Sequence, residues 1–323
     1  MDDWRPSADL SALHLRARLY ALIRQFFSTR GVLEVETPIL SAAGNTDPNI
    51  ASFRTHFNGH VGAGSRERWL RTSPEFPLKR LIAAGIGDCY ELGRVFRDGE
   101  AGRRHNPEFT MLEWYRIGWD HRRLMLEATE LVVAALALVG HGVQVRETTY
   151  RDLFIDALGI DPMRDAEPIL HEALADIVID ATDLRRDDWL DLLLTHRIQP
   201  GFARDELLLV HDYPASQCAL AKIRADDPPV AERFELYLGP IELANGYHEL
   251  TDAAEQHARF ERDHALRTQR GDPLPPLDAR LLAALEHGLP DCAGVALGVD
   301  RLLTAMLDAD TIAASLAFPF DRA

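Results

Sequence analysis

The sequence predicts an α+β fold, with antiparallel strands flanked by helices, and three observations carry it. Two strand-like runs, Tyr90 to Arg97 and Glu108 to Tyr115, lie either side of a polar loop holding Gly99, Gly102, Arg103, Arg104 and Pro107, and read as an antiparallel pair with a long connection. Two more runs, Glu232 to Leu238 and Ile241 to Leu250, follow the break at Asp226-Asp227-Pro228-Pro229. Helical periodicity accompanies them in Leu15, Leu19, Leu22, Ile23 and Phe26, and again in Leu124, Ala128, Leu131, Ala135 and Leu138.

In chain order, the first helix gives way at Gly31 to the strand-like run Val32 to Glu36, which stops at Thr37-Pro38. The helix through Leu138 ends near Gly140 and Gly142. Residues 145–205 read as a helical, acidic insertion within a single domain spanning residues 1–323. A charged helix is expected from Asp252 to Gln269, and Asp272 to Pro276 is a linker. The small-residue run Gly294 to Arg301 leads into an apolar helix, Leu302 to Leu307.

The net charge of −16 (35 basic against 51 acidic residues) argues against a protein that wraps a long polyanion, because such binding draws on clustered Lys and Arg. The charge is uneven. Residues 66–104 hold nine Lys/Arg against six Asp/Glu, while residues 155–190 hold three against ten. A basic region in an acidic chain suits a small phosphorylated ligand. The apolar stretch Leu131 to Val139 is far short of the roughly 18 residues that span a bilayer, and the first thirty residues lack a signal layout, so a cytoplasmic location is expected. Cys89, Cys218 and Cys292 are far apart and are expected to be buried free thiols.

No G-x-x-x-x-G-K-[ST] is present, so side chains must hold any nucleotide. Arg97 and Arg301, both beside glycines, offer bidentate forks to phosphate; each alone also fits a surface salt bridge. Glu235 and Glu242 lie on consecutive strand-like runs and could meet across the pair, giving the carboxylate oxygens that Mg²⁺ prefers. Period-two alternation puts Glu113 with Tyr115 on one strand face, and Asn245, Tyr247 and Glu249 together on another. Such faces suit a cavity or solvent, and the apolar neighbours Met111, Leu112, Trp114, Leu243 and Ala244 favour the cavity. His56 and His60 are separated by a turn-like Phe57-Asn58-Gly59 with no third ligand nearby, which argues against a metal there.

Together these pieces resemble the three motifs of class II aminoacyl-tRNA synthetases, specifically the lysine subgroup. Glu36-Thr37-Pro38-Ile39-Leu40 is similar to motif 1, normally part of a dimer interface. Arg71 to Phe76, Tyr90 to Arg97 and His105 to Tyr115 resemble the motif 2 region, and Gly294 to Arg301 resembles motif 3. Motif 1 begins within about 25 residues of the start, too few for the anticodon-binding barrel of lysyl-tRNA synthetases, so no tRNA partner is expected. The runs Ile241 to Asp252 and Pro290 to Gly298 look most like the truncated paralogues that join β-lysine to a lysine of translation elongation factor P.

That resemblance implies a class II catalytic core, a mostly antiparallel sheet flanked by helices, in a homodimeric ligase using ATP and Mg²⁺. Its substrate would be lysine-like, (R)-β-lysine for the paralogues, with elongation factor P as acceptor. It assigns Arg97 to the α-phosphate, Arg301 to the γ-phosphate and one adenine face, Phe109 to the other face, and His105 to the phosphate region. Glu235 and Glu242 match the magnesium acids, Glu75 the backbone-amine site and Asn245 the carboxylate contact, with Tyr247 beside it; Glu113, Tyr115 and Glu249 match the distal-ammonium pocket. Where the family has Arg-x-Glu, this chain reads Arg97-Asp98-Gly99-Glu100, which moves the adenine contact to Glu100 or to backbone groups. Ala296 stands where lysyl-tRNA synthetases carry glycine, and its methyl is expected to narrow the substrate's backbone end. Two rivals are a synthetase-like enzyme acting on a small molecule or amidating aspartate, and a silent amino-acid-binding regulator. The first calls for a different side-chain pocket, the second for lost phosphate ligands.

Overall fold

A helix with one buried face opens the computed structural model, which describes residues 4–60, 62, 64–180 and 184–323. In α1 (Leu10–Ser28) the Asp9 carboxylate caps the first turn by accepting from the Ala12 amide at 2.7 Å, and Leu15, Leu19, Ile23 and Phe27 turn inward. There follow β1 (Leu33–Glu34), β2 (Leu40–Ser41), β3 (Arg54–His56), β4 (Glu67–Leu70), α2 (Glu75–Ala83), β5 (Cys89–Phe96) and β6 (Glu108–Ile117). β5 and β6 pair antiparallel as their sequences predict, and β1 joins β5 in parallel. The Val32–Glu36 run is shorter in the fold, where only Leu33 and Glu34 form a ladder. β2, β4 and β3 make a separate small antiparallel sheet.

The middle of the chain runs through α3 (His121–Ala137), β7 (Gln144–Thr149), α4 (Tyr150–Leu158), α5 (Glu167–Glu172), α6 (Arg186–Leu193), β8 (Glu206–Pro214), β9 (Ile223–Arg224), β10 (Val230–Leu238) and β11 (Ile241–His248). β8 pairs antiparallel with β10 and parallel with β7, and β10 pairs antiparallel with β11. The expected insertion contains a strand as well as helices: β-branched Val145, Thr148 and Thr149 favour extended backbone at 144–149, and helices occupy much of 150–193. Tyr150, Phe154, Trp189, Leu190 and Leu193 of those helices form a core with Leu208, Val210, Tyr213 and Tyr237 of the sheet.

The chain closes with α7 (Ala253–Arg270), α8 (Ala279–Gly288), β12 (Cys292–Gly298) and α9 (Val299–Met306). β12 pairs antiparallel with β6, and α8 packs on α2 and α7. Buried Arg267 of α7 donates to the carbonyls of Thr46 (2.9 Å), Asp47 (2.5 Å) and Ile50 (2.9 Å), satisfying a loop that has no ladder of its own. The chain thus divides into two compact units: residues up to Trp119 with Thr251–Ala323, and Asp120–Leu250. Among the described residues no helix is long and apolar enough to cross a membrane.

Candidate active site

In the first unit, the β5–β6 pair carries the arginine-rich loop. The Arg97 amide donates to the Pro107 carbonyl at 2.8 Å and closes the loop's base, while Gly102 and His105 bond to each other's backbones inside it. The Arg97 guanidinium lies 5.3 Å from the Phe109 ring centroid, and its Nη1 is 3.6 Å from Glu100 Oε1. Its Nε is buried without a hydrogen-bond partner. Gly99 has φ +81°, a left-handed conformation that would strain a glutamate, so the carboxylate that meets Arg97 comes from the next position, Glu100.

Arg301 Nη2 donates to His105 Nε2 at 2.7 Å. A guanidinium has no acceptor, so Nε2 must present its lone pair and the imidazole is neutral in this arrangement. Desolvation, then the charges of Arg301 and other nearby arginines, hold the His105 pKa below the ordinary histidine value. Asp300 fixes the helix start that presents Arg301. Its carboxylate is 1% exposed, accepts from the Thr110 amide at 2.7 Å and is paired with Arg16, which also donates to the Ser315 carbonyl at 2.8 Å.

The Glu113 carboxylate is held at both ends, by the Ser73 hydroxyl at 2.7 Å and the Tyr115 hydroxyl at 2.8 Å. Ser73 Oγ in turn accepts from the Glu75 amide at 2.9 Å, which seats the first residue of α2. Glu75 is bound to Lys79 one turn on, at 2.5 Å, and Lys79 itself is fully buried. Across the ladder Ala296 faces Glu113 and Gly294 faces Tyr115. Ala296 is half-buried between the buried Val295 and Leu297, as a methyl on the open face of β12 would be.

A polar network occupies one face of β10 and β11 in the second unit. Arg233 donates to Glu235 Oε1 (2.6 Å), to Asn245 Oδ1 (3.2 Å) and to the Gln217 carbonyl (2.9 Å). Asn245 Nδ2 donates to the Tyr247 hydroxyl at 2.9 Å. The hydroxyls of Tyr213, at 2.7 Å, and Tyr237 both donate to Glu235 Oε2. Burial, followed by the Glu235 charge, pushes both phenols well above their ordinary pKa, so they stay protonated donors.

Glu235 and Glu242 do not face each other directly: Glu235 stands opposite Asn245, and Glu242 opposite Tyr237. An irregularity in register between Leu236 and Tyr237 brings Glu242 onto the same face as Asn245, although their spacing of three would put them on opposite faces of a regular strand. Two carboxylates on one face, one of them half-buried, suit a hard divalent cation in donor chemistry. Glu249 lies 1% exposed past the end of β11, where it bridges to Ala221.

Sequence reasoning missed several residues that hold these groups. Arg233 sits two positions before Glu235 and so shares its face, a signal available from alternation; Lys79 was available from its i, i+4 spacing to Glu75. Asp300 and Arg16 are 284 residues apart and gave no such signal. Nor did the buried pair of Arg71 and Glu91 (2.6 Å), on which Thr37 also converges by donating to Glu91 at 2.6 Å. A Cβ at Gly93 would lie 2.6 Å from Arg71 Nη2, so a larger residue there would displace that buried guanidinium.

The family model described as tRNA synthetases class II (D, K and N) matches residues 2–322. The chain is 48% identical over 323 residues to the Elongation factor P--(R)-beta-lysine ligase of Yersinia enterocolitica, covering 99% of this chain and 98% of that one. It is 49% identical over 326 residues to the protein of the same name from Vibrio cholerae, covering 99% of each. A third, from Edwardsiella ictaluri, is 46% identical over 327 residues, covering all of this chain and 99% of the other. The chain therefore belongs to the class II tRNA synthetase family and, within it, to the elongation factor P (R)-β-lysine ligases.

Proposed function

We propose that the protein is an ATP-dependent, AMP-forming ligase that activates (R)-β-lysine and transfers it to a lysine side chain of elongation factor P. The observation that carries the reading, given the family, is the retention of both phosphate-directed arginines, each beside a group suited to a nucleotide: Arg97 against Phe109, and Arg301 on a neutral His105. A silent regulator would have no use for them.

In the first step the amino-acid carboxylate oxygen bonds to the α-phosphorus of ATP, the bond to the β-phosphate bridge breaks, and pyrophosphate leaves. In the second, the acceptor amine attacks the carbonyl carbon of the mixed anhydride, AMP leaves and the nitrogen gives up a proton. Neither step needs a protein nucleophile, so the residues contribute alignment and charge. Arg97 is assigned to the α-phosphate, where negative charge develops. Arg301 is assigned to the γ-phosphate and an adenine face, Phe109 to the other face, His105 to the phosphate region, and Glu100 to the adenine contact.

Glu75 is assigned to the substrate amine, Asn245 with Tyr247 to its carboxylate, and Glu113 with Tyr115 and Glu249 to carrying the distal ammonium. Glu235 and Glu242 would hold Mg²⁺, which when bound neutralises phosphate charge. Homodimerisation is proposed from the motif 1 segment, whose Leu33, Ile39 and Leu40 are exposed apolar residues. ATP–pyrophosphate exchange measured with (R)-β-lysine, (S)-β-lysine and α-lysine tests the reading. Greatest exchange with the (R)-β isomer is expected, and none with any lysine isomer would reject it.

A further inference from the structure

A cluster of histidines and acids on the second unit plays no part in the proposed chemistry. One ligand atom from each of His121, Glu232 and His248 lies within 4.8 Å of the others, and among the described residues this is the one such group of three His, Cys, Asp or Glu side chains. His121 is 2% exposed, and its Nδ1 is buried without a hydrogen-bond partner. Its Nε2 is 3.3 Å from Asp212 Oδ1. A carboxylate there accepts the Nε2 proton and leaves the Nδ1 lone pair available, an arrangement that supports a metal-bound imidazole.

Asp212 is held for this contact. It has φ +58°, which is uncommon outside glycine, and lies where the β8–β10 register shifts between Ala231 and Phe234. Arg224 donates to Asp212 Oδ2 at 2.9 Å and to Glu232 Oε1 at 3.2 Å, so it fixes both acids and leaves Glu232 Oε2 to His248 Nδ1, 2.5 Å away. By alternation Glu232 and His248 point away from the face of Arg233, Glu235 and Tyr247, toward the side where α3 packs on β10 and β11.

We propose that His121, Glu232 and His248 bind one divalent transition-metal ion of the zinc type, which pins the start of α3 to the back of β10 and β11. Two imidazoles and one carboxylate form a known zinc donor set, and the partly exposed Glu232 side leaves room for water as a fourth ligand. Co²⁺ can replace zinc and reports its own surroundings by visible absorption.

The test uses the full chain, stripped with a chelator and titrated with Zn²⁺ by calorimetry and with Co²⁺ by absorption. One ion per chain, a higher unfolding temperature with zinc, and a Co²⁺ spectrum without thiolate charge transfer are expected. Asp212→Asn should weaken binding about 10- to 100-fold. Glu232→Gln, which keeps size and shape, should weaken it at least as much even if His121→Ala proves poorly folded. Absence of saturable binding by the parent chain, unchanged affinity in Glu232→Gln, or a cobalt–thiolate band would each overturn the proposal.

Discussion

Arg301 donates to a neutral imidazole, a bond that an arriving phosphate can replace with a stronger charge-assisted one. Arg301→Ala should therefore reduce adenylate formation by about 10² to 10³, the usual cost of a missing electrostatic contact. The unfolding free energy should stay within about 0.5 kcal/mol, as for a surface side chain outside the core. Pyrophosphate exchange and a denaturant titration read the two quantities. Ala296 makes a different kind of contribution, since its methyl stands beside Glu113 across the β6–β12 ladder. Ala296→Gly should raise the specificity constant for α-lysine relative to (R)-β-lysine, by as much as about ten- to two-hundredfold if one methyl decides the fit. An unchanged ratio would place the selectivity elsewhere.

Among the elements, the buried Arg71–Glu91 pair ties β5 to the Thr37 turn. Glu91→Ala would leave a buried guanidinium without its counter-charge, and a loss of about 3 to 5 kcal/mol is expected by denaturant unfolding. In α7, burial is the main cause raising the Asp263 carboxyl to about 6, despite the hydrogen bond it accepts from Thr46. Its contribution to stability is full below its unfolded value of 3.8 and is lost as pH rises through about 6, because the unfolded chain releases the proton first. Asp263→Asn should flatten the fall in stability across that window, and a parallel pH series of unfolding curves would show it. At this scale the strands of the β5–β6 and β10–β11 pairs were legible, because strand-like runs are bracketed by turn residues, Gly99, Gly102 and Pro107 within the first pair and Pro228-Pro229 before the second. β8 was not predicted: Leu207 to Val210 is a continuous apolar run, buried on both faces, which has no alternation to read. Likewise the shared face of Glu242 and Asn245 depends on an irregular register that spacing in the sequence does not encode. Alternation and i, i+4 spacing place Arg233 beside Glu235 and Lys79 beside Glu75, whereas Arg16 meets Asp300 only through the fold, 284 residues away in sequence.

For the whole molecule, a net charge of −16 fits a protein acceptor better than tRNA, since a polyanion would be repelled except where basic residues cluster. The transfer step separates a protein acceptor from a nucleic acid directly. Enzyme, ATP, Mg²⁺ and radiolabelled (R)-β-lysine are incubated in parallel with purified elongation factor P and with bulk tRNA, and each acceptor is then recovered and counted. Stable label is expected on elongation factor P, lost when its acceptor lysine is replaced by arginine, and none on tRNA. Label on tRNA with none on elongation factor P would contradict it.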